Sequence, residues 1–95
     1  MEIQVQCRPS NGGWLCDVLL GSDRGATSHA VTVTDETLRR MAVGDSDPTR
    51  LVTQSFEFLL EREPRTSILR TFELPAIGRY FPEWEREMRG KLSPA

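Results

Sequence analysis

Cys7 and Cys16 have the widest chemical reach of any residues in this chain, because a thiolate is a nucleophile and a soft-metal ligand, and two adjacent thiols can be oxidised to a disulfide. Two thiols alone fall short of the four ligands of a structural zinc site. Cysteine is also among the residues most often buried as a small hydrophobe. The pair is therefore expected to be buried core thiols. His29, the single histidine, falls in phase with Val31 and Val33 and is expected to be structural. Asp45 and Asp47 could offer oxygens to a hard cation, but calcium needs six or more, and helix capping accounts for both. Glu83, Glu85 and Glu87 alternate, so on a helix they spread around the axis instead of converging. No His-Glu-x-x-His, Cys-x-x-Cys, Gly-x-Ser-x-Gly or Gly-rich phosphate loop occurs. The residues thus imply no catalytic apparatus, no cofactor and no metal.

The elements that position these residues are legible from periodicity. Ile3, Val5 and Cys7 alternate with Gln4, Gln6 and Arg8, and after Pro9-Ser-Asn-Gly-Gly13 the alternation resumes at Trp14, Cys16, Val18 and Leu20. A type I′ turn at Asn11-Gly12 would set Cys7 opposite Cys16, Val5 opposite Val18 and Ile3 opposite Leu20, with Pro9 at a position where its missing N–H costs nothing. A turn at Gly12-Gly13 keeps the faces but shifts the partners, so the cysteine pairing depends on the turn. Ser28 to Thr34 reads as a third strand with His29, Val31 and Val33 on one face. A three-stranded antiparallel β-meander results, with an apolar face that helices must cover.

Thr34 can cap a helix that begins Asp35-Glu36 and buries Leu38 with Met41 or Ala42, and Gly44 is a natural stop. Asp47-Pro48 opens a second helix that runs to about Arg62, with Asp47 as N-cap and Pro48 at the first helical position. Leu51, Val52, Phe56, Phe58, Leu59 and Leu60 cover more of its circumference than the ~100° stripe of a surface helix. It should pack on two sides, one against the sheet and one against something else, for which a second subunit is a candidate. A shorter helical segment from Thr66 or Ser67 should carry Ile68, Leu69 and Phe72 as far as Leu74-Pro75. A last one places Ile77, Tyr80, Phe81, Trp84 and Met88 at helical spacing, and Pro82 should kink or break it. The fold expected is α+β in a single domain over 1–95, with the meander in 1–34 and three to four short helices in 35–95 packed on one face.

The net charge of −2 is nearly balanced along the chain, which provides no general attraction to nucleic acid or membrane. The first residues lack the basic and apolar regions of a secretory signal, and no apolar run approaches the ~20 residues of a bilayer span. A cytoplasmic protein with reduced cysteines is expected. The crowded aromatic run Tyr80-Phe81-Pro82-Glu83-Trp84, extended by Met88, either seals the core or forms a partner surface.

His29-Ala-Val-Thr-Val-Thr-Asp-Glu-Thr-Leu-Arg-Arg40, followed by Asp47-Pro48, Leu51-Val52, Ser55 and Phe58-Leu-Leu60, resembles the ribbon-helix-helix family of bacterial repressors and antitoxins over about a third of the chain. The resemblance implies a strand that pairs with its copy in a dimer and enters the major groove. Ser28, Ala30 and Thr32 would then face bases, and Thr49 would lie near a phosphate. The chain departs from the family in its short first helix, in the complete hairpin before the strand, and in having no Arg or Lys at the base-facing positions. Two readings follow: a non-catalytic interaction or regulatory domain that binds protein or itself, and a ribbon-helix-helix-like DNA-binding regulator or antitoxin component.

Overall fold

A computed structural model describes residues 2–41 and 47–92. Ala42 and Gly44, expected near the end of the first helix, and Asp45, weighed as a cation ligand and read as a helix-capping residue, lie outside the described residues.

The hairpin forms in the expected register. Strands β1 (Ile3–Ser10) and β2 (Gly13–Leu20) pair Cys7 with Cys16, Val5 with Val18, Ile3 with Leu20 and Pro9 with Trp14. Asn11 and Gly12 take φ of 43° and 76°, the two left-handed positions of a type I′ turn. Strand β3 (Thr27–Thr34) pairs antiparallel to β2, and its Val31 and Val33 are buried beside Cys16, Val18 and Leu20.

Two expectations for this half of the molecule are corrected. Cys7 and Cys16 are joined in a disulfide instead of being separate thiols. The physical cause is the register itself: opposite residues at a non-hydrogen-bonded pair lie closest, and here the Cα atoms are 4.0 Å apart. The sheet also has four strands, not three. Thr71–Glu73 forms β4, which runs parallel to β3 and pairs Ala30 with Thr71 and Thr32 with Glu73, completing the order β1-β2-β3-β4. A helix had been expected through this stretch. Only a single 3-10 turn forms at Arg65–Ser67, after which the chain extends because β3 offers unpaired backbone: the Ala30 N–H donates to the Arg70 carbonyl at 2.7 Å.

Thr34 caps α1 (Asp35–Met41) as expected, its hydroxyl accepting the Thr37 N–H. Helix α2 spans Thr49–Leu60 and starts one residue later than expected: Pro48 stands at the N-cap instead of the first helical position, and the Asp47 carboxylate just before it accepts the Thr49 N–H at 2.9 Å. Pro82 breaks the last helix instead of bending it. After a 3-10 turn at Leu74–Ala76, a short α3 (Ile77–Tyr80) ends at Phe81, and α4 begins anew at Trp84 and runs to Leu92.

All helices lie on one face of the sheet, and the two sides of α2 explain its broad apolar arc. Phe56 meets the sheet, with its ring 5.6 Å from His29 and 6.0 Å from Phe72. Phe58 and Ser55 meet the C-terminal helices: the Phe58 ring is edge-on to Phe81 at 5.8 Å, and Ser55 bonds Trp84. Leu51, Val52, Phe56, Phe58 and Leu59 are buried and Leu60 is half-buried, so the second packing surface of α2 belongs to the same chain. Arg62 locks this junction, with its guanidinium 3.6 Å from the centre of the Phe58 ring and its Nη2 donating to Glu87 at 3.0 Å.

Candidate interaction site

The aromatic run divides into a buried part and an exposed part. Trp84 is 1% exposed and Met88 is fully buried, so they belong to the core and not to the surface. Phe81 is half-buried against Phe58. Tyr80, the last residue of α3, is 69% exposed. The break at Pro82 produces this split, because it turns α4 back onto α2 and leaves the end of α3 projecting. Gly78 lies beside the Trp84 ring, where even a Cβ would make an ordinary van der Waals contact at 3.5 Å.

The second large exposed apolar residue among those described is Leu69, at 50%. It occupies the extended stretch between the 3-10 turn and β4. The expectation was a short helical segment carrying Ile68, Leu69 and Phe72. In extended backbone, neighbours point to opposite sides, so Ile68 enters the core and Leu69 faces out. The adjacent apolar pair Ile68-Leu69 fits a helical period as well as an extended one, and only the pairing of Thr71–Glu73 with β3 decides between them.

The backbone of Leu69 is held from beneath. The His29 ring is buried, its Nδ1–H donates to the Leu69 carbonyl at 2.7 Å, and its Nε2 accepts from the Thr27 hydroxyl at 2.8 Å. A carbonyl can only accept, which fixes the proton on Nδ1. His29 thus has the structural role expected, and it ties β3 to the segment that presents Leu69.

Leu69 and Tyr80 border the same groove, a cavity of about 350 Å³ that Leu59, Phe72, Ile77 and Glu63 also line. Its lining is mainly apolar, and it offers no arrangement of nucleophile, base and anion-binding donors. Among the described residues, no three His, Cys, Asp or Glu side chains are grouped to hold a metal ion.

No family model, curated protein or solved structure matches this chain. The functional reading therefore rests on the geometry of the molecule itself.

The residues implied by the ribbon-helix-helix resemblance are not brought together. Ser28 and Thr32 are exposed on the open face of β3 and Ala30 is half-buried beside them, while Thr49 begins α2 in the layer behind the sheet. Strand β3 is interior, paired with β2 along its length and with β4 at Ala30, Val31 and Thr32, so that stretch has no edge for a second copy. The open face around Ser28 mixes Arg70 with Asp17, and Arg8 there donates to Asp17 at 2.7 Å. No helix among the described residues is long and apolar enough to cross a membrane.

Proposed function

We propose that this chain is a non-catalytic interaction module that self-associates and takes an apolar side chain of a protein partner into the groove between Leu69 and Tyr80. The observation that carries the docking half is the convergence of the two exposed large hydrophobic residues on one preformed apolar groove. A small domain with balanced charge gains little by exposing such side chains singly, and apolar anchors in a groove are how protein surfaces concentrate binding energy. Glu63 in the groove lining favours a partner whose anchor has a cationic neighbour.

The DNA-binding alternative depends on Ser28, Thr32 and Thr49, which lie on opposite sides of the sheet. The geometry favours it less.

Affinity capture from native cells, with proteins and nucleic acid both identified, compares the wild type, a Leu69→Ser/Tyr80→Ala variant and Thr32→Arg. A protein retained by the wild type and by Thr32→Arg but lost from the groove variant is expected. Capture indifferent to the groove, or nucleic acid whose retention responds to Thr32→Arg, overturns the reading.

A further inference from the structure

The two edges of the sheet differ greatly. β4 is a three-residue strand, whereas β1 is an eight-residue edge. The hairpin register fixes which backbone groups of β1 face outward. Ser10 and Gly13 flank the type I′ turn, and at the far end the Gly21 N–H donates to the Glu2 carbonyl at 2.8 Å, so the even-numbered residues of β1 bond to β2. The odd-numbered residues therefore present their backbone away from the sheet: the N–H groups of Ile3, Val5 and Cys7, with their carbonyls. No partner for these groups occurs among the described residues.

Native sheets commonly protect such an edge with an interior proline, a lysine, a bulge or an inward-pointing charge. Between Glu2 and Arg8 this strand has none of them. Its core-side residues Ile3, Val5 and Cys7 are all only half-buried, whereas their neighbours Cys16, Val18 and Leu20 on β2 are buried. An apolar seam is thus left open along the edge.

We propose that β1 pairs antiparallel with β1 of a second copy of this chain, with Val5 opposite Val5, to make a continuous eight-stranded sheet across a twofold axis. This names the surface for the self-association in the reading above and is independent of the groove. Two features select the occupant and the register. Along the open face the strand reads Glu2, Gln4, Gln6, Arg8, an anion at one end, a cation at the other and amides between. An antiparallel copy centred on Val5 sets Glu2 opposite Arg8 of the second copy and Gln4 opposite Gln6, at the closely spaced non-hydrogen-bonded positions where cross-strand side chains interact best. Arg8 already donates to Asp17, and its five donors leave capacity for a second carboxylate. The second feature is Pro9. In the register centred on Gln6 it would stand opposite Ile3 at a hydrogen-bonded position with no N–H to give, whereas the register centred on Val5 ends before it and forms about six inter-strand bonds.

Sedimentation equilibrium from about 1 to 100 μM tests this, with charge reversal as the decisive series. The wild type should be dimeric. Glu2→Arg and Arg8→Glu should each weaken the dimer about tenfold, because two like-charged pairs replace two opposite ones, and the double variant should restore it. Val5→Pro removes only an outward N–H and should abolish the dimer while circular dichroism stays native. Should that variant not fold, the charge reversals decide alone. In the wild type, the amides of Ile3, Val5 and Cys7 should gain exchange protection as concentration rises. A monomeric wild type overturns both this pairing and the self-association proposed above. A dimer indifferent to the reversals and not rescued by the double variant overturns the β1 pairing alone.

Discussion

The indole N–H of Trp84 donates to the hydroxyl of Ser55 at 3.0 Å, and both residues are buried where α4 crosses α2. This bond gives the largest buried side chain a polar partner inside the core. Ser55→Ala leaves the indole N–H desolvated and unpaired, which should cost about 1–3 kcal/mol. Urea unfolding followed by tryptophan fluorescence measures it. Trp84→Ala should cost more, about 3–5 kcal/mol, by opening a cavity as well.

Neighbouring aromatic residues should behave differently because one is exposed and the other packed. Tyr80→Ala and Leu69→Ala should change stability by no more than about 0.5 kcal/mol, as befits exposed side chains, yet weaken partner binding roughly tenfold or more. Phe81→Ala removes the edge-on contact to Phe58 and should destabilise the fold measurably. Thermal melts and binding isotherms on the three variants separate the two effects.

The bridge between Cys7 and Cys16 closes a short loop, with a sequence separation of 9. Loop-closure entropy puts its contribution at roughly 2–3 kcal/mol at most, and less where the turn already organises the denatured hairpin. A reductant should therefore lower the melting temperature of the wild type and leave Cys7→Ser/Cys16→Ser unchanged. Thiol titration of protein quenched directly from cells should find both cysteines unreactive until reduced. Free thiols in the native protein would return the pair to the core reading.

Alternation made the faces of the first hairpin legible, and the preference of Asn11-Gly12 for a type I′ turn pointed to the register that forms, although a turn at Gly12-Gly13 keeps the same faces with shifted partners. The helix break at Pro82, the cap at Thr34 and the Asp47 carboxylate at the start of α2 were legible from local residue types. β4 was not. Thr71–Glu73 is a strand only because β3 lies beside it, a tertiary cause that three residues cannot encode. The bond between Ser55 and Trp84 was equally hidden, since it joins residues 29 positions apart. For the site, Tyr80 was legible as part of the aromatic run, but Leu69 lies in a stretch that reads as helical and is extended, and the groove between them depends on the break at Pro82. The facing of Cys7 and Cys16 was legible from the hairpin register, whereas their bridging depends on the redox compartment, which periodicity does not encode.

Acid should weaken this fold through two carboxylates that gain partners on folding. The Asp23 carboxyl is held below its ordinary value of 3.8 by the hydrogen bond from Arg65, by the Gly25 N–H and by the nearby guanidinium charge. Asp47 is likewise lowered by the Thr49 N–H and hydroxyl at the start of α2. A depressed folded-state pKa means that the unfolded chain takes up protons first as pH falls. The stabilisation is therefore fully present above the unfolded value of about 4 and is lost progressively below it, as pH falls through the folded values. Urea midpoints should be level in this respect from about pH 5 to 8 and decline as pH falls below about 4. Asp47→Asn keeps an oxygen for the Thr49 N–H at the start of α2, so it should cost only a few tenths of a kcal/mol at pH 7 while making the acid decline shallower. Asp23→Asn should likewise make the acid decline shallower, at the turn between β2 and β3 where Gly21 and Gly25 leave room for the Arg65 side chain. An acid decline as steep in the double variant as in the wild type would place the proton uptake on other carboxylates.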